Sequence, residues 1–198
     1  AIRYNMNMVV MLFDNEIYGL TKGQTSPTSR TGTRSSTHPT GSVLPALNPL
    51  TVTLGVTNVS FVAQTVDWNP GHMMATLEAA YQHQGFSFVR IIQRCPHFAK
   101  GLHDAEQTNP DSTLYLNHER GITLPEEQAR IYKNRAEHDP SDLVAGVAHA
   151  TEKELIPIGL FYHDPECLRY DEFGAANIDT TPEHKLATIH RELDRFAV

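Results

Sequence analysis

The chain has 198 residues, 40% of them hydrophobic, which is enough to bury one substantial core without a second domain. Its formal charge of -7 and its singly scattered lysines and arginines provide no basic stripe for a nucleic-acid backbone. No window approaches the roughly 20 consecutive apolar residues that span a bilayer, and no secretory leader pattern is present. We therefore expect a soluble cytoplasmic protein that binds neither nucleic acid nor membrane.

Two cysteines, Cys95 and Cys167, are too few for a disulfide framework in a chain of this size, so a reducing compartment is expected. The sequence opens at Ala1, and the apolar run Met8–Phe13 follows within a few positions, without a start methionine before it. We expect from this opening that the sequence begins partway through its natural domain.

The first strand and the loop after it have contrasting compositions. The run Met8–Phe13 is apolar throughout and ends at Asp14 and Asn15, a pattern typical of a central strand buried on both faces of a parallel sheet. From Ile17 to Pro49 the composition changes to Gly, Thr, Ser and Pro. Because long loops within compact domains usually serve binding or catalysis, this segment is a candidate site.

Strands and helices then alternate along the chain. Two Asn-Pro pairs predict helix starts, since Asn is a good N-cap and Pro suits the first helical position. The predicted elements are a short helix from Pro49 to Leu54, a strand from Ser60 to Val66, a helix from Pro70 to about Gly85 and a strand from Phe86 to Ile92. This alternation predicts an α/β domain with a mostly parallel sheet and helices on both faces.

Ligands of parallel sheets gather outside the carboxyl ends of the strands. Asn15 and Cys95 each follow a predicted strand, so we expect them to share one edge of the sheet. The segment Asp67–Asn69 follows another strand and could line the same cleft, although an ordinary N-cap at Asn69 also explains it.

Beyond Cys95 the pattern weakens. The predictions here are a polar stretch to Arg120, helices over Leu124–His138 and Ser141–Glu154, a strand over Leu155–Tyr162 and a last helix over Pro182–Phe196. The last helix carries an apolar stripe that is expected to face the core or another subunit, formed by Leu186, Ile189, Leu193 and Phe196.

Taken alone, few side chains indicate chemistry. An Asn at a strand end can offer its amide oxygen, and a nearby backbone carbonyl, to Mg²⁺, but most Asn residues at strand ends merely cap or turn the chain. The 11 histidines lack the compact spacing of a zinc site, so surface or hydrogen-bonded roles are expected. Cys167 lies in no recognisable motif and is interpreted as structural.

Residues 14–28 form the most informative motif, Asp-Asn-Glu-Ile-Tyr-Gly-Leu-Thr-Lys-Gly-Gln-Thr-Ser-Pro-Thr. This run resembles, nearly letter for letter, the diphosphate loop of 2-oxoacid:ferredoxin oxidoreductase β subunits. The resemblance implies a thiamine-pyrophosphate-binding fold over residues 1–198. It also implies that the chain is the C-terminal portion of such a subunit, with a C-terminal tail from about residue 125.

The resemblance assigns roles within the loop. It implies that the Asn15 side chain and the Ile17 carbonyl bind the Mg²⁺ that bridges thiamine pyrophosphate. The backbone around Gly19, Leu20 and Thr21 would approach the cofactor, with the Leu20 side chain against the thiazolium ring. A glycine at position 19 suits close backbone approach to a phosphate, which leaves no room for a Cβ.

Two further residues acquire roles through the resemblance. Cys95 would ligate a [4Fe–4S] cluster, although the family's other three cysteines and its Gly-Asp-Gly-Asp motif are absent from this sequence. Lys22 stands where pyruvate-type relatives carry a small residue, and its ammonium could pair with the distal carboxylate of 2-oxoglutarate. A solvated lysine on a surface loop is the alternative for Lys22.

The implied reaction is the coenzyme A-dependent oxidative decarboxylation of 2-oxoglutarate, or its reverse. An α subunit and ferredoxin are the implied protein partners. Pyruvate or a broad range of 2-oxoacids is the alternative substrate, and a non-catalytic module of the thiamine fold is the alternative outside enzymes. A plain nucleotide-binding module ranks third, because no phosphate-binding glycine fingerprint is present.

Overall fold

The computed structural model describes residues 1–175 and 181–196, without the side chains of residues 174 and 175. Its strands are β1 (Met8–Asp14), β2 (Ile17–Tyr18), β3 (Gln24–Thr25), β4 (Phe61–Val66), β5 (Phe86–Ile92), β6 (Thr113–Asn117), β7 (Asn134–Glu137) and β8 (Ile156–His163). Its α-helices are α1 (Pro49–Leu54), α2 (Pro70–Gln82), α3 (Asp104–Thr108), α4 (Glu126–Ala129), α5 (Leu143–Ala150), α6 (Tyr170–Ala175) and α7 (Pro182–Asp194). Short 3-10 turns lie at Ile2–Tyr4 and Pro110–Ser112.

Six strands form one sheet in the order β1-β5-β4-β8-β6-β7. β5 pairs in parallel with β1 and β4, and β6 pairs in parallel with β7 and β8. The two parallel groups meet at β4 and β8, which pair antiparallel. The predicted α/β class with a mostly parallel sheet is therefore confirmed.

Both Asn-Pro pairs open helices, as predicted. The Asn48 Oδ1 atom accepts hydrogen bonds from the backbone N–H groups of Leu50 at 3.0 Å and Thr51 at 3.4 Å. Asn69 caps α2 in the same way, accepting from the His72 N–H at 3.0 Å. Each cap provides a partner for N–H groups that the first helical turn leaves unpaired.

Apolar clusters cover both faces of the sheet. On one face, α1 and α5 pack against side chains that include Val62, Phe88 and Phe161. On the other face, α2 packs against Phe61, Val89 and Ile91. Since each fully buried side chain of this size stabilises the fold by about 1.5–3 kcal/mol, the two clusters fix the helices on their faces. The prediction of helices on both faces is confirmed.

The first strand differs from the prediction. β1 lies at the edge of the sheet, where β5 is its one strand partner among the described residues. Its exposure alternates, and Phe13 is 55% exposed while Asp14 is 4% exposed. The prediction of a central strand buried on both faces is therefore wrong, because an apolar run does not reveal how many neighbours a strand has.

Between Cys95 and Glu154 the sequence pattern was misleading in part. The polar stretch contains β6, and the helix expected over Leu124–His138 is reduced to α4 followed by β7. β6 and β7 are short strands, and β7 is polar at three of its four positions, which makes them hard to distinguish from loops. The helix predicted from Ser141 and the strand predicted from Leu155 are present as α5 and β8.

The last helix exists as predicted but does not pack on the core. The four residues of its apolar stripe are 55% to 80% exposed in this chain, namely Leu186, Ile189, Leu193 and Phe196. A core-facing stripe is therefore excluded, and a subunit-facing stripe stays a prediction. Within residues 1–175 and 181–196, no helix combines the length and apolar character needed to cross a bilayer.

Candidate functional site

The loop after β1 meets the segment after β5 at the carboxyl edge of the sheet. The segment after β5 contains Cys95 and is called the Cys95 segment. Asp14 and Ile92 are register partners at the ends of β1 and β5, and the Gln93 N–H donates to the Asp14 carbonyl at 2.9 Å. A Cβ atom at Gly19 would lie 3.9 Å from the Cys95 Sγ atom. The prediction that the Asn15 loop and Cys95 share one sheet edge is confirmed.

A hairpin built from β2 and β3 holds the loop against the Cys95 segment. Gly23 closes the hairpin turn with a φ of +88°, and its N–H donates to the Tyr18 carbonyl at 3.0 Å. A Cβ atom at Gly23 would lie 2.9 Å from the Phe98 ring, closer than real Cβ contacts allow. Gly23 therefore allows both the turn and the close packing on Phe98.

Asp14 organises the base of the loop, a role that the sequence analysis did not identify. Its buried carboxylate accepts hydrogen bonds from Thr28 Oγ1 at 2.7 Å and from the Glu16 N–H at 3.1 Å. Arg90 on β5 donates to the same carboxylate through Nε at 2.8 Å and Nη2 at 2.6 Å. Arg90 also donates to Gln64 on β4 at 3.1 Å. The two ends of the segment from Asp14 to Thr28 are therefore joined through one carboxylate to the middle of the sheet.

Asn15 and Ile17 form the first turn of the loop. The Asn15 Oδ1 atom accepts from the Ile17 N–H at 3.2 Å, and both residues line a cavity of about 420 Å³ together with Phe13 and Val52. An amide oxygen has two lone pairs, so this hydrogen bond leaves one available to a cation. Amide and carbonyl oxygens are hard ligands that Mg²⁺ prefers, and the two residues therefore fit a magnesium site.

The tip of the loop is exposed in this chain. Leu20, Thr21 and Lys22 all lie at the surface, and Leu20 is fully exposed. Lys22 occupies the left-handed region with a φ of +67°, and its N–H donates to the Gly19 carbonyl at 3.1 Å. The tip is thus a tight turn that presents its side chains outward.

A cluster of polar side chains around the buried His103 links the loop to the Cys95 segment, and the sequence analysis did not detect it. His103 is 3% exposed and lies between two carboxylates, with its Nε2 3.4 Å from Glu16 Oε1 and its Nδ1 3.8 Å from Glu106 Oε1. Arg30 pairs with Glu16 at 2.8 Å. Burial raises the pKa of Glu16, but the neighbouring His103 and Arg30 side chains outweigh it and hold the pKa below its usual value.

These residues line a second cavity, of about 490 Å³, together with Arg90 and Gln64. Positions 16 and 103 are far apart in sequence, and no motif joins them. Only the folded chain could reveal the pair, because a lone Glu and a lone His carry no spacing signal.

Cys95 lies in a surface depression where β4 and β5 end. A cavity of about 310 Å³ is lined there by Asp67, Arg94 and Cys95. Asp67 accepts from the Arg94 N–H and from Arg94 Nε, both at 3.1 Å, which fixes the residue before the cysteine. Of the segment Asp67–Asn69, Asp67 therefore lines the cleft beside Cys95, while Asn69 is the N-cap that was the alternative interpretation.

The surroundings of Cys95 favour its thiolate. Burial raises the pKa of the Cys95 thiol, but hydrogen bonds from the backbone N–H groups of Phe98, His97 and Ala99 together outweigh it and lower the pKa overall. For Cys167, burial and the nearby Asp164 carboxylate raise the pKa. The thiol of Cys167 instead donates to Asn58 Oδ1 at 3.1 Å, consistent with a structural role.

The two thiols should therefore react at different rates in cluster-free protein. We expect iodoacetamide to alkylate Cys95 faster than Cys167 at pH 7, because the thiolate is the nucleophile and a lower pKa gives more of it. As pH rises, the Cys95 rate should level off before the Cys167 rate does. Peptide mass spectrometry over a pH series measures both rates in one sample. Equal rates, or faster labelling of Cys167, would contradict the conclusion that Cys95 has the lower pKa.

The site offers metal ligands without completing a metal centre. In the part of the chain that is described, no three His, Cys, Asp or Glu residues converge to hold an ion. Asn15 and Ile17 provide two oxygens and Cys95 provides one thiol. A magnesium ion bound to diphosphate, or a four-iron cluster, would need further ligands from outside these residues.

Comparisons with known proteins agree with this geometry. Residues 1–91 match the family model described as "Thiamine pyrophosphate enzyme, C-terminal TPP binding domain". Residues 128–175 match the family model for the C-terminal region of the pyruvate ferredoxin oxidoreductase β subunit. The chain is 43% identical over 105 residues to the 2-oxoglutarate oxidoreductase subunit KorB of Mycobacterium tuberculosis, covering 53% of this chain and 28% of that protein.

A longer match extends over almost the whole chain. The β subunit of 2-oxoacid:ferredoxin oxidoreductase from Sulfolobus sp is 30% identical over 195 residues, covering 94% of this chain and 59% of that subunit. The chain is therefore a homologue of 2-oxoacid:ferredoxin oxidoreductase β subunits. Among solved structures, the 2-oxoglutarate:ferredoxin oxidoreductase of Magnetococcus marinus, with 2-oxoglutarate, coenzyme A and succinyl-CoA bound, matches with a TM-score of 0.71 and 28% identity.

This chain aligns with only part of each of these relatives. The structural match covers 95% of this chain but 60% of the Magnetococcus marinus chain. The chain therefore spans about 60% of the length of these two relatives and less of the mycobacterial one.

Proposed function

We propose that this chain acts in a β subunit that binds thiamine pyrophosphate through Mg²⁺ and helps hold a [4Fe–4S] cluster. The reaction is the coenzyme A-dependent oxidative decarboxylation of 2-oxoglutarate, or its reverse. One observation carries the proposal: the loop from Asn15 to Thr28 lies against the Cys95 segment at the carboxyl edge of β1 and β5. We call residues 15–28 the cofactor loop. The contact places this loop beside a thiol that could bind an electron-accepting cluster.

The loop residues would hold the cofactor through oxygens and backbone. Asn15 Oδ1 and the Ile17 carbonyl would bind Mg²⁺, while the backbone from Gly19 to Thr21 would approach thiamine pyrophosphate. When bound, thiamine pyrophosphate supplies the carbanion chemistry that releases CO₂ from a 2-oxoacid. Asp14 has a positioning role, because its hydrogen bonds with Arg90 and Thr28 hold the segment in place.

Cys95 would supply one thiolate to the cluster. Its pKa is lowered by three backbone N–H groups, so it needs less free energy to lose its proton to a metal. The Asp67–Arg94 pair holds the preceding residue, which should keep the thiolate facing the loop. Electrons would leave the reaction through this side of the site toward ferredoxin.

Lys22 is proposed to recognise the substrate. It stands on the same turn as Leu20, and its side chain makes no ion pair with any residue in the described ranges. An exposed ammonium can be brought into a closed site by a partner subunit, where it would pair with the distal carboxylate of 2-oxoglutarate. Pyruvate lacks that carboxylate, so it would leave the ammonium without a partner.

The remaining surface suits an assembly with an α subunit. Two features are available for such an interface. One is the edge strand β1, and the other is the C-terminal tail after about residue 125, which contains α7 with its exposed apolar stripe. We propose that residues 1–198 serve as one thiamine-pyrophosphate-binding domain and that its tail contributes to the subunit interface. An exposed apolar stripe of this kind commonly marks a protein interface.

The proposal is tested on the assembled protein purified without oxygen. We expect stoichiometric thiamine pyrophosphate and magnesium, a visible spectrum of an iron–sulfur protein, and ferredoxin reduction that depends on both 2-oxoglutarate and coenzyme A. Assembled protein that contains neither the cofactor nor iron would contradict the proposal. Cofactor content without turnover on any 2-oxoacid would favour a non-catalytic module.

Substrate choice is tested by Lys22→Ala. We expect kcat/KM for 2-oxoglutarate to fall by roughly 10- to 100-fold, because a hydrogen bond to a charged group contributes about 1.5–3 kcal/mol. Turnover of pyruvate should fall much less. Lys100→Ala, which removes another exposed lysine near the Cys95 segment, is the matched control and should leave both values unchanged.

The rival substrate assignment is pyruvate or a broad range of 2-oxoacids. The family model over residues 128–175 is described for a pyruvate enzyme, which is the observation in its favour. A preference between the two acids that does not change in Lys22→Ala would contradict the 2-oxoglutarate assignment and support this rival.

A further inference from the structure

A second polar cluster lies at the sheet edge opposite the cofactor loop. His83 follows the end of α2, and His163 ends β8, where β8 runs antiparallel to β4. The His83 Nδ1 and His163 Nε2 atoms are 3.2 Å apart. Both side chains line a cavity of about 350 Å³ with Phe61, Leu160 and Gln82. The length of β5 separates this edge from Cys95, about 20 Å at roughly 3.3 Å per residue.

Neighbouring groups fix the proton on His83. Asn5 is oriented by two backbone groups, since its Oδ1 accepts from the Phe86 N–H at 2.7 Å and its Nδ2 donates to the Cys167 carbonyl at 3.0 Å. Ser60 Oγ lies 2.6 Å from Asn5 Oδ1 and 3.0 Å from the Phe86 carbonyl. Both neighbours are acceptors, so the single Ser60 hydroxyl proton is used on one of them.

Ser60 can therefore only accept from His83. The His83 Nε2 atom lies 2.9 Å from Ser60 Oγ and must carry the ring proton. The other nitrogen, Nδ1, is then a bare lone pair directed at His163. In metal-bound histidines, the ring nitrogen that does not bind the metal commonly donates its N–H to an oxygen acceptor. His83 Nε2 makes such a hydrogen bond here.

His163 can present a second lone pair without moving. No protein group in the described ranges hydrogen-bonds its Nδ1, so the ring proton can lie there and leave Nε2 bare. Two nitrogens bound to one tetrahedral zinc at about 2.05 Å would lie roughly 3.3 Å apart, close to the separation observed here. Moving the proton within the His163 ring requires no net proton release.

We propose that His83 Nδ1 and His163 Nε2 together bind one late first-row divalent cation, for which Zn²⁺ is the probe, with water in the adjoining cavity completing its coordination. Imidazole nitrogens suit this class of ion and discriminate against Mg²⁺. One ring caps the C-terminus of α2 and the other ends β8, so the ion would link these two elements. The site lies apart from the cofactor loop and does not depend on the proposed function.

The surrounding charges permit a cation. Arg120 lines the cavity but pairs with Asp139 at 2.6 Å, and Arg169 pairs with Glu172. The Asp164 carboxylate lies near both imidazoles. Burial lowers the pKa of His83 to about 4 and also lowers the pKa of His163, so protons do not compete for either ring at neutral pH.

Isothermal titration of the full chain with Zn²⁺, followed by X-ray absorption at the zinc edge, tests the site. We expect one ion per chain in a first shell of nitrogen and oxygen with two imidazoles. His163→Gln should weaken binding by at least 10-fold, and Ser60→Ala, which keeps both ligands, should weaken it less. His190→Gln removes an exposed imidazole on α7 and is the matched control, expected to bind normally.

Three outcomes would overturn the site: no zinc binding by the unaltered chain, equal affinity in His163→Gln, or a zinc shell dominated by sulfur, which would place the ion at a cysteine. Circular dichroism and thermal unfolding of each variant without zinc show whether it is folded. If His163→Gln is unfolded, the absorption spectrum and the Ser60→Ala affinity decide the question. An imidazole shell with weakened binding in Ser60→Ala supports the site, and any other combination rejects it.

Discussion

Replacing Cys95 with alanine is expected to reduce ferredoxin-linked turnover to background in the assembled protein. A four-iron cluster requires four thiolates, and removing one of them should leave a labile cluster or none. Iron content and the electron paramagnetic resonance signal of the reduced protein should fall together with turnover. Thiamine pyrophosphate content should be retained, because the cofactor loop does not depend on the thiol for its hydrogen bonds.

Cys167→Ala is the matched control for this prediction. Cys167 lies at the opposite edge of the sheet, near Asn5 and Asn58, and its thiol has a raised pKa. We expect its iron content and turnover to match those of the unaltered protein. A Cys95→Ala variant with a full cluster signal would contradict the ligand assignment.

Removal of the Asp14 carboxylate is expected to have the largest effect on stability. Asp14→Ala leaves the partly buried Arg90 guanidinium without its ion-pair partner and leaves Thr28 Oγ1 without its acceptor. Breaking one side of a buried ion pair typically costs about 3–5 kcal/mol. We expect a decrease of that size in the free energy of unfolding, measured by urea denaturation. The cofactor loop should lose protection from proteolysis at the same time.

Glu126→Ala removes a carboxylate from an exposed pair with Arg130 and serves as the control. Exposed pairs of this kind contribute less than about 1 kcal/mol, since solvent screens them. If both variants lose the same small amount of stability, the Asp14 network does not anchor the loop.

Much of the fold could be predicted from local signals. The Asn-Pro helix starts and the strand at Phe86–Ile92 are present where the sequence indicated them. These signals are local, because a cap and the run that follows it lie within a few residues. The shared sheet edge of Asn15 and Cys95 followed from the same alternation, through the rule that parallel strands end together.

Other features depend on distant contacts and could not be predicted in the same way. The edge position of β1 depends on which strands pair with it, and an apolar run carries no such information. The strand β7 has an alternating exposed pattern that also suits a loop or helix. The stripe of α7 was expected to be covered, but helical spacing alone does not show what covers it.

The candidate site also combines features that have a local sequence signal with features that depend on distant contacts. The strand–helix alternation predicted that Asn15 follows the first strand, and the contiguous loop motif assigned Asn15 and Ile17 their expected roles. The pairs Asp14–Arg90 and Glu16–His103 join residues that are 76 and 87 positions apart. Each partner alone is an ordinary charged side chain, so only the folded chain identifies them as contacts. All the metal, cofactor and substrate roles remain predictions, namely those of Asn15, Ile17, Gly19, Leu20, Thr21, Lys22 and Cys95.

The most direct test is magnesium-dependent binding of thiamine pyrophosphate to the assembled protein, measured for the unaltered chain, Asn15→Asp and Asn15→Ala. Aspartate can keep both the hydrogen bond from the Ile17 N–H and an oxygen ligand, whereas alanine provides neither. We predict tight binding that chelation of magnesium abolishes, retained metal dependence in Asn15→Asp, and at least about 10-fold weaker binding in Asn15→Ala. Equal binding by Asn15→Ala, or binding that chelation does not affect, would contradict the assignment of this loop as the magnesium and diphosphate site.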